Sequence, residues 1–171
     1  MLKFGHLSFG KGELYLENLL QGGQAFRWVY NEVQNHYATT MKVGDSGEYF
    51  VVILRQLNQT TLEYASLENK CNLKALKEHL TKYFRLEVSV CDLHARDWLK
   101  SDANFKSYTP QGVRMLAQEP WETMVSFICS SNNNISRITG MCHKLSRNYG
   151  QKVGTFDSVD YFSFPTSNDI M

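Results

Sequence analysis

The sequence predicts an α+β protein: an antiparallel twisted β-sheet covered by helices, followed by further helices. Three observations carry this. From Leu2 to about Ser66 apolar residues recur mostly with a period of two; after Ser66 the period becomes 3.6; and near Phe127 one helical pattern stops and another starts across Asn132-Asn133-Asn134.

Leu14, Leu16 and Leu19-Leu20 precede Gly22-Gly23 and read as a strand or short turn leading into a tight bend. Phe26, Trp28 and Tyr30 alternate with polar neighbours, as do Tyr37, Thr39, Met41 and Val43, and each set marks a strand. Gly44-Asp45-Ser46-Gly47 is a turn. Tyr49 to Leu54 is a strand apolar on both sides, so each of its faces needs cover. Beyond Ser66, Asn72 is placed to cap a helix carrying Leu73, Leu76, Leu80 and Tyr83, and Asp92 to cap one carrying Leu93 and Trp98-Leu99. Pro110-Gln111-Gly112 is a turn signal, and Val113 to Ala117 reads as a short helical segment.

Trp121, Met124, Val125 and Ile128 stand at i, i+3, i+4 and i+7 behind Pro120, which suits a first helical position, and predict a buried helix. Ile135, Ile138, Cys142, Leu145 and Tyr149 predict a longer amphipathic helix ending at Gly150. Thr166 and Asp169 have capping-box spacing and announce another helix. A helix announced this close to Met171 leads us to expect an N-terminal fragment of a longer protein.

Hydrophobic residues make up 43% of the 171, which excludes disorder, and a net charge of +1 lacks the basic excess of a nonspecific DNA binder. Charge must therefore act locally. Cys71, Cys91, Cys129 and Cys142 show no C-x-x-C spacing and read as reduced, intracellular thiols; no metal and no cofactor are expected. The run Phe50 to Leu54 is far too short to cross a bilayer, so no membrane partner is expected.

The candidate site is the polar corner. Arg137, Lys144 and Arg147 repeat the helical spacing about 200° from the apolar stripe, so they face away from the core. No acidic residue occurs between Glu122 and Asp157, whereas Arg137, Lys144, Arg147 and Lys152 are basic. Two readings stay open from the residues alone. Asparagines cap helices and cationic faces are solvated; the same arrangement also suits a phosphate or the edge of a nucleobase. Gly22-Gly23 by themselves are glycines at a bend. Arg27, between Phe26 and Trp28, reads as a partly buried arginine in need of an ion partner.

Three stretches resemble the eukaryotic 8-oxoguanine DNA glycosylases, of the helix-hairpin-helix superfamily, with wording nearest the yeast-type members: Ser126 to Thr139; Gly22-Gly23-Gln24-Ala25-Phe26-Arg27-Trp28, against a G-Q-x-F-R-W signature; and Lys82-Tyr83-Phe84-Arg85-Leu86, against K-Y-F-x-L. The resemblance implies an N-terminal sheet domain over residues 1–117 and, over 118–171, the start of an all-α glycosylase domain that is truncated. It implies base excision repair: removal of 8-oxoguanine opposite cytosine, with lyase action at the abasic site. The partner would be double-stranded DNA, the protein a monomer, and the location nuclear, with a mitochondrial form left open. Gly23 would offer its carbonyl to the N7 hydrogen that distinguishes the oxidised base. Asn132 would fill the gap left by the extruded base and bind the orphaned cytosine, and Arg137 would also contact that cytosine. Asn133 and Asn134 would start the helix near the DNA backbone. No L-P-G-V-G hairpin occurs, and Lys144 and Lys152 sit in the wrong context for the attacking lysine. The resemblance therefore transfers no catalytic residue, and places the lysine and aspartate beyond Met171. A non-enzymatic DNA-binding module and a structural domain are the competing classes.

Overall fold

A computed structural model of the chain describes residues 2–44 and 47–171. Five strands, β1 (Gly5–Ser8), β2 (Val29–Asn31), β3 (His36–Lys42), β4 (Tyr49–Asn58) and β5 (Thr61–Ser66), form one antiparallel sheet in the order β1-β5-β4-β3-β2. The predicted strand around Phe26 to Tyr30 is shorter than its alternation, beginning only at Val29. The turn between Gly44 and Gly47 has its two central residues outside the described ones.

The two-sided apolar strand explains the layering. Val52 and Leu54 on β4 enter the main core, with Leu76, Leu80 and Phe84 of the helical side. Val51 and Ile53 point the other way, into a smaller cluster with Ala38 and Tyr161. The first face is covered by α1 (Leu16–Leu20) and α2 (Leu73–Tyr83), as helices should. The second is covered by a two-stranded hairpin, β6 (Lys152–Phe156) with β7 (Val159–Phe162), which the sequence reading left inside an all-α region. Its turn gave little sequence signal. Asp157 and Ser158 both take positive φ, 48° and 62°, the backbone of a two-residue hairpin turn, but neither is glycine or asparagine.

Asn72 caps α2 as expected, its side-chain oxygen accepting from Lys74 N at 2.8 Å and Ala75 N at 3.3 Å. Three local expectations need correction. Leu16, Leu19 and Leu20 are the buried i, i+3, i+4 face of the short helix α1, and not a strand. The next helical stretch runs through α3 (Val90–Leu93), a π-helical turn His94–Trp98 and α4 (Leu99–Ser101), and its cap is Ser89; Asp92 lies in the first turn and donates its backbone N–H to the Ser89 hydroxyl. Residues 113–117 are irregular, with Arg114 and Leu116 buried and Val113 and Met115 exposed. Between these pieces lie two short 3₁₀ turns, Leu67–Asn69 and Ala103–Ser107.

Residues 113–117 are not helical because their polar groups have distant partners. The Arg114 guanidinium is buried against Glu13 at 2.6 Å and donates to the carbonyls of Phe84, Arg85 and Val88. Glu13 in turn accepts from Ser89 Oγ at 2.6 Å and from the N–H groups of Val90 and Cys91, so its carboxylate sits on the N-terminus of α3. Burial pushes the Glu13 pKa up, but the bonds from Ser89, Val90 and Cys91 outweigh it and hold the carboxyl below its ordinary value. A depressed folded-state pKa contributes stability in full above the ordinary glutamate range and loses it as pH falls through the folded value. Urea midpoints of the native chain should therefore fall more steeply between roughly pH 5 and pH 3 than those of Glu13→Gln, which is less stable at pH 7 but lacks this titration. Parallel acid limbs in the two proteins would contradict it.

Candidate nucleic-acid interface

Helix α5 (Pro120–Ser130) carries Pro120 in its first turn behind the N-cap Glu119, and ends at Ser131. Asn132 follows at φ +50°, a left-handed conformation that asparagine tolerates better than most residues. Asn133 closes the corner: its Nδ2 donates to Cys129 O at 3.0 Å and lies 3.4 Å from the Met141 sulfur, while its Oδ1 accepts from Asn134 N. Asn134 is the N-cap of α6 (Ile135–Tyr149), accepting from Arg137 N at 2.9 Å. Two of the three asparagines therefore hold the turn. The Asn132 and Arg137 side chains are exposed and bond to nothing among the described residues.

The cationic side of α6 points outward as the spacing predicts, with Arg137, Lys144 and Arg147 all exposed. Lys152 does not join them, because Asp160 across the hairpin neutralises it at 2.7 Å. Ile138 and Cys142 are the buried stripe of α6; Ile135 and Tyr149 remain about half exposed. Gly150 ends α6 in an extended conformation, and a side chain there would run into the Ser163 carbonyl.

The expectation of a buried helix at Pro120–Ile128 is overturned. Met124 is 49% exposed, Phe127 77% and Ile128 65%, whereas Ser126 is buried and Glu122 partly so. The helix is turned so that Glu122 faces inward, and the cause is Arg27. That guanidinium, 7% exposed, forms a bidentate pair with Glu122, at 2.8 Å from Nε and 2.7 Å from Nη2. Its remaining donors reach Thr40 Oγ1, Thr40 O and Phe162 O. Burial opposes the Arg27 charge, and the Glu122 carboxylate more than offsets that, leaving its pKa raised. Sequence reasoning found that Arg27 needed an anion and did not find which. The available signal was an acid four residues before Ser126, on the polar side of an otherwise apolar helix.

The Gly22-Gly23 bend lies against the same corner. Gly23 has φ +81°, and a side chain there would be strained by the backbone and would also sit 2.9 Å from Ile135 Cδ1. At Gly22 a Cβ would run into the Asn18 carbonyl, so this glycine is required by close approach. Gln24 fixes the bend from behind: its Nε2 donates to Arg114 O at 2.9 Å, its Oε1 accepts from Leu116 N at 3.1 Å, and its carbonyl accepts from Gln118 Nε2 at 2.6 Å. Gln24 and Gln118 were not singled out from the sequence. The fold thus brings the motif of residues 22–28 onto the start of α6, more than a hundred residues away. The motif of residues 82–86 meets that of residues 22–28 elsewhere, where Trp28 Nε1 donates to the Tyr83 hydroxyl at 3.0 Å.

Residues 6–124 match the family model of the 8-oxoguanine DNA glycosylase N-terminal domain. The N-glycosylase/DNA lyase of Saccharomyces cerevisiae is 54% identical over 169 residues, 98% of this chain and 45% of that protein. The N-glycosylase/DNA lyase OGG1 of Arabidopsis thaliana is 29% identical over 156 residues, 90% of this chain and 40% of that protein. The fold is that of the Clostridium acetobutylicum 8-oxoguanine glycosylase/lyase solved with double-stranded DNA containing cytosine opposite 8-oxoG, with a TM-score of 0.70 and 23% identity over 99% of this chain and 55% of that one. It is shared with the 3-methyladenine DNA glycosylase of Archaeoglobus fulgidus, at a TM-score of 0.65 and 11% identity over 97% of this chain and 57% of that one. The chain spans less than half the length of the curated relatives it matches. With a family model covering most of its residues, the chain belongs to the 8-oxoguanine DNA glycosylase family and carries that family's N-terminal domain.

Proposed function

We propose that this chain is the N-terminal part of a bifunctional DNA glycosylase and abasic-site lyase that removes 8-oxoguanine opposite cytosine, and that it supplies the contacts to both bases. The observation that carries this reading is the pair Asn132 and Arg137, exposed and unpartnered among the described residues at a corner that the other two asparagines, Asn133 and Asn134, hold in place. An enzyme acting on a base inside a duplex must extrude it, losing a few kcal/mol of stacking and pairing. The Asn132 amide both donates and accepts, so it can enter the vacancy and bind the cytosine left behind. The Arg137 guanidinium presents a fork of donors to the O2 and N3 acceptors of that cytosine. Gly23 has no side chain of its own to hold a base away from its carbonyl, which suits the N7 hydrogen of oxidised guanine. The Asn134 side-chain nitrogen Nδ2, unlike that of Asn133, makes no hydrogen bond among the described residues and can reach a phosphate.

The chemistry itself lies outside this chain. Lys144 is exposed and Lys152 is paired with Asp160, so neither sits in the enclosed setting in which an amine attacks a sugar. The open apolar side of α5, with Met124, Phe127 and Ile128, is a surface that a further helical layer would cover. The test is excision from a duplex holding one 8-oxoguanine opposite cytosine. The full-length protein is expected to release the free base and cleave the strand, and the 1–171 chain to do neither. A full-length protein that leaves the lesion in place would end the reading.

A further inference from the structure

We infer that Ile135 is a positioning residue that makes lesion recognition at Gly23 depend on the cytosine contacts at Asn132 and Arg137; the inference rests on the roles proposed above for those three residues. Ile135 is the first residue of α6, directly after the N-cap Asn134, three residues from Asn132 and two from Arg137. Its Cδ1 and Cγ1 lie 2.9 Å and 3.3 Å from where a Cβ on Gly23 would stand, so the tip of the side chain rests on the glycine itself. It is not there to fill the core. It is 52% exposed and belongs to neither buried cluster, although an isoleucine at this place keeps apolar surface in water.

The Gly23 bend cannot retreat from this contact. Behind it, Gln24 is bonded at both ends of its amide to Arg114 O and Leu116 N, and the Gln24 carbonyl is bonded to Gln118. At the other side, the start of α6 is fixed by Asn133 and Asn134, and a β-branched side chain has a stiff χ1. Gly23 therefore lies between a hydrogen-bonded clamp and the tip of Ile135. Because this start is held, the load placed on it as Asn132 and Arg137 engage the base opposite the lesion passes through Ile135 to the glycine whose carbonyl is to meet the oxidised base. Cytosine seats the helix start; adenine, which lacks an O2 acceptor, does not. The geometry thus couples the two recognition events through one aliphatic contact, and coupling of this kind is reciprocal.

The experiment is single-turnover excision by the full-length protein of 8-oxoguanine placed opposite cytosine and opposite adenine. Ile135→Ala is expected to lower the ratio of the two rates about fivefold or more, mainly through the rate opposite cytosine. Ile135→Val, which removes Cδ1 and preserves the helix start, should fall between the native protein and Ile135→Ala, and it keeps the test informative should the alanine variant fold poorly. An unchanged ratio in Ile135→Val and Ile135→Ala, with both rates falling together, would make Ile135 a packing residue and overturn the inference while leaving the proposed function intact. A native protein that excises the lesion equally well opposite the two bases would instead overturn the roles of Asn132 and Arg137, and the inference with them.

Discussion

Arg27→Ala is expected to destabilise the protein by about 3–5 kcal/mol, because it leaves the Glu122 carboxylate turned inward without its cation. The loss is large for a single ion pair because one guanidinium donates five hydrogen bonds, two to Glu122 and three to Thr40 and Phe162. These partners lie on α5, β3 and β7, so the arginine ties the sheet to the helix that leads to the asparagine corner and to the hairpin on the far face. Glu122→Gln keeps the shape and part of the bonding, and should cost less than Arg27→Ala. The paired change Arg27→Met with Glu122→Leu should recover much of the loss, since two apolar side chains of similar length remove both charges together. Urea unfolding of the four proteins at pH 7 measures this. A midpoint for Arg27→Ala within error of the native value would show that the pair contributes nothing and that α5 is oriented by something else.

Asn132→Gly and Arg137→Ala are each expected to slow excision of 8-oxoguanine opposite cytosine in the full-length protein by about 10- to 100-fold, the worth of one or two hydrogen bonds involving a charged or buried partner. Neither should move the unfolding midpoint appreciably, because both side chains are exposed and hold nothing in place. Glycine is the informative replacement at position 132. The residue sits at φ +50°, where alanine would add a backbone penalty of about 1–2 kcal/mol and mix a folding effect into a recognition effect. Asn133→Ala is the contrasting variant: its amide closes the corner on Cys129 O, so its loss should appear in stability first. Unaltered excision by both Asn132→Gly and Arg137→Ala would remove the corner from the recognition of cytosine and favour a structural role for this part of the chain.

Local chemistry was enough to read most of the elements. Asn72 and the stripe Leu73, Leu76, Leu80, Tyr83 specify α2; Thr166 and Asp169 specify the capping box of the last helix, α7 (Ser167–Ile170); alternation specifies β3, and an unbroken apolar run β4. The corner between α5 and α6 was equally legible, since three asparagines between two helical periods leave little else, and the G-Q-x-F-R-W and asparagine stretches carry the family resemblance in the sequence alone. Where local chemistry was weak the reading failed. Leu14 to Leu20 fits a strand or a helix over so few residues, and Val113 to Ala117 has helical composition but is drawn straight by the bonds of Arg114, Gln24 and Tyr83 to its backbone and side chains.

The sequence by itself determined most of the periods, the caps of α2 and α7, the family, and the need of Arg27 for a counter-charge. The tertiary structure alone decided that Glu122 answers it, that α5 therefore shows its apolar side to solvent, that Glu13 pairs with Arg114, and that Gly23 meets Ile135. The physical reason is range. Hydrophobic period and capping act within one or two turns of chain, so neighbours in sequence reveal them, whereas a buried charge or a glycine without a side chain is completed by a group about a hundred residues away, chosen by how the sheet and helices pack.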